Sequence, residues 1–555
     1  MIISDFFKAD TILIYEQNCP FLSGTKSVQS YCFSVNYANR KEMRIPKWHK
    51  TMAKYRNTPA LRVMNRIRDK AASCAEKRVG LRIPYILCNF AGFCLYMFGL
   101  ISILLSVTLL TEHPITGKAN MSVLVENMTT GKVLDEYRSE HVVPPASVMK
   151  LLTTGAALET LGAAFRFTTT LEYTGKIEKG VLYGDLYIRG EGDPSLGDKR
   201  RSFLPRWVRA IQAAGIRRIE GSIIADMSAF DAEATNPAWL CEDAGNYYAP
   251  GIFGINYMAN TMNIVLKSGA VGTIAEVTRT EPLYPNLQFI NHIRCTNITY
   301  DGAFVSGLPF SNERYLTGCI PSKLGIFGVK GDIPNPGLLL AQHLQQQLML
   351  AGIEVALPAH YVADYNPLLP PRNFIYAHKS DSLGALIAET NINSNNLYAE
   401  AIFRYLGLQY ATPATIHNSC DFLREFWRRR GVDVSTSLVK DGCGLAPQDA
   451  VSAATFVQLL RYMAHSKYAD VWFRSLPVSG QTGTLKSLCR GTELEGRIHA
   501  KSGTISGTKN FAGYIDMPDG EKWVFAILIN SAPGKARNIQ TVIEKYLLDV
   551  YQANK

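Results

Sequence analysis

Hydrophobic and polar positions divide the chain into stretches of different rhythm. Residues 1–63 carry no clear amphipathic pattern. From Pro84 to Leu110 there is no charged side chain, a run long enough to cross a bilayer as one helix. Beyond it, short alternating runs take over. Residues 121–126 and 132–137 flank Thr129-Thr130-Gly131, which predicts a hairpin, and the apolar run 148–158 then predicts a helix. At the far end, residues 510–515 and 523–529 flank Pro518-Asp519-Gly520, a second hairpin, before an amphipathic helix over 539–551. The pattern predicts one antiparallel sheet built from both ends of the chain, with helices packed on it.

The middle reads differently. Short strand-like runs at 171–175, 181–188, 221–226 and 262–266 are split by turn residues, and a helix over 336–351 leads back. We therefore expect an α/β (α+β) fold with four parts: a basic segment 1–83, a transmembrane or signal helix 84–110, a domain made of 118–170 and 370–555, and a β-rich insertion over 171–369.

The net charge of +11 suggests a basic, nucleic-acid-binding protein until its placement is read. Residues 1–83 hold 16 Lys/Arg against 6 Asp/Glu, so the rest is nearly balanced and carries no nucleic-acid footprint. Arg66, Arg68, Lys70, Lys77, Arg78 and Arg82 precede the apolar run and by the positive-inside rule place residues 111–555 outside the cytoplasm. A buried core helix and, closer, a cleaved signal peptide are the alternatives to an anchor. Of 11 cysteines, Cys241, Cys295, Cys319, Cys420, Cys443 and Cys489 follow the run, with no C-x-x-C pair to hold a structural zinc. Cys295 and Cys319 lie in neighbouring strand-like runs; a disulfide and two buried thiols are both open.

Three polar clusters carry the candidate chemistry. Pro144-Pro145-Ala146 places Ser147 at a helix start, three residues before Lys150, so hydroxyl and ammonium share a face. A lysine that loses its proton when desolvated activates such a serine. Ser394 and Asn396 offer a hydroxyl and a carboxamide two residues apart, although alone they read first as an Asn-rich helix cap. Lys501-Ser502-Gly503-Thr504 ends a strand-like run. Each is unremarkable alone. In this order, S-x-x-K, S-x-N and K-[ST]-G resemble the signature of penicillin-binding proteins and serine β-lactamases.

Residues 144–162, 184–197, 335–339, 441–445 and 483–486 narrow the resemblance to the D-alanyl-D-alanine carboxypeptidases/endopeptidases of the penicillin-binding protein 4 type, peptidase family S13, over roughly 120–550. It implies a β-lactamase/transpeptidase-like domain with a large insertion. It also implies a serine-type carboxypeptidase of the cell envelope that acts on peptidoglycan stem peptides, is inhibited by β-lactams, and needs no cofactor or metal. Ser147 would be the nucleophile, Lys150 its base and Ser394 the proton relay. Asn396 would orient the substrate amide or Lys150, and Lys501, with Ser502 and Thr504, would hold the terminal carboxylate. The N–H groups of Ser147 and Thr504 would form the oxyanion hole. Within the insertion, Asp243 is the candidate partner of the substrate's diamino-acid side chain. Three positions depart from the family pattern: Asn395 for Asp, Ser502 for Thr, and Cys443 where D-G-S-G-L is usual. The last is expected to weaken a polar contact without abolishing activity. The rival readings are a β-lactamase and a penicillin-sensing protein with a vestigial site.

Overall fold

The structure is a computed structural model that describes residues 107–198, 203–368 and 371–555. The basic segment 1–83 and residues 84–106 of the expected span lie outside the described residues. The end of that span does not: residues 107–112 are helical and Leu110 is only 1% exposed, within the protein's own apolar core. Among the described residues no helix is long and apolar enough to cross a membrane.

Both chain ends build one sheet. In chain order its strands are β1 (Asn120–Asn127), β2 (Val133–Tyr137), β3 (Ile498–Ile505), β4 (Thr508–Asp516) and β5 (Lys522–Asn530). They lie in the order β3-β4-β5-β1-β2, all antiparallel, with β1 joined to β5 from Asn120↔Asn530 to Asn127↔Trp523. Strand β5 is apolar at nearly every position because both faces are covered, as two-sided burial demands. Val524, Ala526 and Leu528 enter one core; Phe525, Ile527 and Ile529 enter the other.

The first core is shared with helices α1 (Lys150–Leu161), α2 (Leu383–Asn393), α3 (Asn396–Leu408) and α4 (Ala453–Ala464). The second is closed by α5 (Ala536–Asn554), whose Ile539, Ile543, Tyr546 and Leu547 are at most 1% exposed. At about 1.5–3 kcal/mol for each large apolar side chain withdrawn from water, these two layers hold the sheet.

The middle of the chain has its own core, from Leu171 to Val355. It is more mixed than the alternating runs suggest. Strands Leu186–Gly190, Ile223–Asp226 and His360–Val362 run parallel. Parallel neighbours need crossovers, which helices Leu204–Ala213 and Pro336–Leu350 provide; the first of these has no counterpart in the sequence reading. The single run expected at 181–188 is two strands in different sheets, broken at Gly184, where a Cβ would lie 2.0 Å from Thr174 O. Strand Thr168–Tyr173 pairs with Asn373–Lys379, and between them the chain passes from one core to the other: Phe167 belongs to the first and Leu171 to the second. Cys295 and Cys319 are free thiols. Their parallel strands pair Cys295 with Ile320, so Cys319 is one residue out of register and points to the opposite face.

Candidate active site

Ser147 sits in a tight turn between β2 and α1. Ala146 holds a positive φ of 47°, costly for a residue with a Cβ, and the turn continues as one 3-10 helix, Ala146–Met149, into α1. The sheet fixes the turn from below: Asn510 of β4 donates to Pro144 O at 2.9 Å. Lys150, the first residue of α1, is fully buried, and its Nζ lies 2.9 Å from Ser147 Oγ, 2.7 Å from Asn396 Oδ1 and 2.7 Å from Cys443 O. Burial pushes its pKa below the ordinary lysine value, against the opposing pull of Cys443, Asp441 and Glu400. A neutral amine fits these neighbours well. Its two hydrogens go to two carbonyl oxygens, and its lone pair is left for the serine hydroxyl.

The second and third clusters meet beside it. Ser394 joins α2 to α3 with φ 58°, while Asn395 caps α3 by accepting from Tyr398 N at 3.2 Å. The cap and the site are thus neighbouring residues doing different jobs. Lys501 of β3 donates to Ser394 Oγ at 3.0 Å and to Ser502 O at 2.7 Å. Its pKa is driven well down by burial and then by the charges of Lys150 and Lys509. Ser502 Oγ donates to Thr484 Oγ1 at 2.8 Å. Gly503 lets β3 run against the Ser147 turn, since a Cβ there would stand 2.6 Å from Pro145 O and 3.2 Å from Ser147 N.

Behind Lys150 lies a buried acidic pair. Asp441 accepts from the backbone N–H groups of Cys443, Gly444, Leu445 and Ala446 and from Trp239 Nε1, at 2.5–3.0 Å. Glu400 accepts from Gly442 N at 2.6 Å, and burial, then the charge of Asp441, pushes its pKa up to about 8. The departure at Cys443 is absorbed here. Lys150 is held by the backbone carbonyl of that residue, which any side chain would leave in place.

Residues 105–549 match the D-Ala-D-Ala carboxypeptidase 3 (S13) family. The chain belongs to this family. The D-alanyl-D-alanine carboxypeptidase of Actinomadura sp. (strain R39) is 28% identical to it over 445 residues, 77% of this chain and 80% of that protein. Penicillin-binding protein 4 from Haemophilus influenzae has the same fold, with a TM-score of 0.70 at 23% identity over 80% of this chain and 99% of that one. Its complex with a novel β-lactam aligns with a TM-score of 0.67 at 22% identity, over 81% and 100%.

In this S13 chain the insertion also reaches the site. Asp243 accepts from Tyr248 Oη at 2.7 Å, and Tyr248 O accepts from Asn396 Nδ2 at 2.8 Å, so one residue separates the candidate recognition carboxylate from the S-x-N cluster. Burial, then the hydrogen bond from its hydroxyl to Asp243, raises the Tyr248 pKa. Tyr248 and Lys509 were missed in the sequence. Neither belongs to a spaced motif, and only strand register and domain contact bring them in.

Proposed function

We propose that this S13-family protein is a serine-type D-Ala-D-Ala carboxypeptidase, with endopeptidase action on cross-linked stem peptides, inhibited by β-lactams through an acyl-enzyme on Ser147. The observation that carries the reading is Lys150 Nζ, set between Ser147 Oγ and two carbonyl oxygens at 2.7 Å. Neutral Lys150 takes the Ser147 proton as Oγ attacks the penultimate D-Ala carbonyl. The oxyanion that forms is received by the N–H groups of Ser147 and Thr504. As the tetrahedral centre collapses, the C–N bond breaks, and Ser394 passes its proton to the leaving nitrogen while taking up the one Lys150 holds, which leaves Lys150 neutral again. Lys501, in contact with Ser394 Oγ, supports that transfer. D-Ala leaves, and water, deprotonated by Lys150, cleaves the ester and restores Ser147. Asn396 holds Lys150, while Ser502, Gly503 and Thr504 line the carboxylate side and Asp243 meets the diamino-acid side chain.

The domain plan carried from the sequence, 118–170 with 370–555 around an insertion 171–369, accounts for the separate cores. The catalytic part then stands outside the cytoplasm, in the cell envelope. The uncharged run that begins at Pro84 carries it there, as a membrane anchor or as a cleaved signal.

Mass spectrometry after penicillin treatment tests the mechanism: one adduct on Ser147, absent in Ser147→Ala, is expected, and an adduct elsewhere sinks it. Release of D-Ala from a pentapeptide, set against cleavage of a cross-linked dimer, then apportions the two activities.

A further inference from the structure

Two buried lysines flank the K-[ST]-G strand, and they are differently employed. Lys501 is fully buried, with its Nζ committed to Ser394 Oγ and Ser502 O. Lys509 lies directly across from Thr504 in the β3–β4 register, and its Nζ donates to Thr504 Oγ1 at 3.0 Å. We propose that Lys509 is the positive charge by which the site recognises the free C-terminal carboxylate of its substrate, acting through the Thr504 hydroxyl. This rests on the carboxypeptidase reading and extends it.

The argument is one of unmet charge. Lys509 is only 9% exposed, yet among the described residues it forms no ion pair. Its neighbours are a hydroxyl and the ring of Phe511, 5.1 Å away. The acidic group that acts on it, Glu544, is engaged with Cys489 N at 3.2 Å and Gln540 Nε2 at 2.9 Å. Burial holds the Lys509 pKa below the ordinary lysine value, with Glu544 pulling the other way, so an anion arriving beside it favours the charged form. Thr504 is exposed and accepts from Lys509, so its own hydrogen is free to donate outward. Ser502 Oγ, by contrast, is already paired with Thr484. Burial, then the charges of Lys150 and Lys509, also lower the pKa of Lys501, and a bound carboxylate relieves that repulsion.

The test compares two substrates on the full-length protein: a peptide ending in D-Ala-D-Ala as the free acid, and the same peptide as its C-terminal amide. Saturating penicillin counts competent sites, so rates refer to folded enzyme. Lys509→Met is expected to lower kcat/KM for the acid by about 10- to 100-fold, the scale of a charge-assisted hydrogen bond, mostly through KM. The amide should change little, so the preference for the acid collapses. Lys509→Arg should restore that preference, and Lys509→Gln should not. Equal losses on acid and amide, or an unchanged acid preference in Lys509→Met, would overturn the assignment while leaving the carboxypeptidase reading intact. A wild-type protein that neither acylates with penicillin nor releases D-Ala overturns both.

Discussion

Lys150 stands between the Ser147 hydroxyl, which we propose it deprotonates, and a buried acidic pair that favours its charged form, so its protonation is set from two sides. Replacing it with Met is expected to slow penicillin acylation by about 10²–10⁴, the usual worth of a general base, measured as the second-order acylation rate. That rate should rise with pH as Lys150 loses its proton, over a range below that of an ordinary lysine. Glu400 adds a stability effect of opposite sense. Its folded pKa of about 8 lies above the unfolded value near 4.5, so the folded state holds the proton more tightly. Its contribution is therefore full at low pH and is lost as pH rises through about 8. Glu400→Gln should flatten the fall in stability between those values, by up to about 1.4 kcal/mol per pH unit in denaturant unfolding. Residue-scale chemistry was legible wherever it was local. Ser147 and Lys150 are three apart on one turn, so their contact follows from spacing. Glu400 is not readable this way, because its pKa depends on Asp441, which only folding brings near.

At the scale of elements, close approach decides the site. Gly503 brings β3 against the Ser147 turn, and Gly444, at φ 82°, leaves no room for a Cβ beside Ala146 O, 1.8 Å from where it would stand. Gly503→Ala is expected to lower acylation by at least about 100-fold, the effect of misplacing reacting groups by ~1 Å, while leaving the fold intact by circular dichroism. Cys443→Ser is expected to do little. The carbonyl that holds Lys150 survives, and the new hydroxyl has Asp441 Oδ2 nearby, where the thiol already sits 3.6 Å away. Acylation within about fivefold of wild type, a barrier change near 1 kcal/mol, is the outcome to look for. The strands and helices that failed to show in the sequence failed for a physical reason. Helix Leu204–Ala213 is short and buries only Trp207, Val208 and Ile211, so it exists because two parallel strands need joining. The hairpins of the main sheet carry their own turn residues and were readable.

At the scale of the whole molecule, the insertion and the catalytic sheet have separate cores but share the site. Trp239 of the insertion donates to Asp441, and the chain Asp243–Tyr248–Asn396 runs from the insertion into the S-x-N cluster. The sequence suggested a large insertion without revealing what it touches, since that contact joins residues about 150 positions apart. The consequence is that substrates should feel the insertion unequally. In the proposed mechanism penicillin reaches Ser147 and the K-[ST]-G strand but has no diamino-acid side chain for Asp243 to meet. A stem peptide has one. Asp243→Asn keeps the acceptor for Tyr248 and removes the charge, so it should leave penicillin acylation unchanged. It should raise KM about tenfold for a peptide with a free side-chain amine, roughly the 1.4 kcal/mol of one charged contact, and should not affect a peptide whose amine is acetylated. If both peptides and penicillin slow together, Asp243 acts through Tyr248 and Asn396 on the catalytic groups instead. The insertion would then be a support for the site and not a reader of substrate.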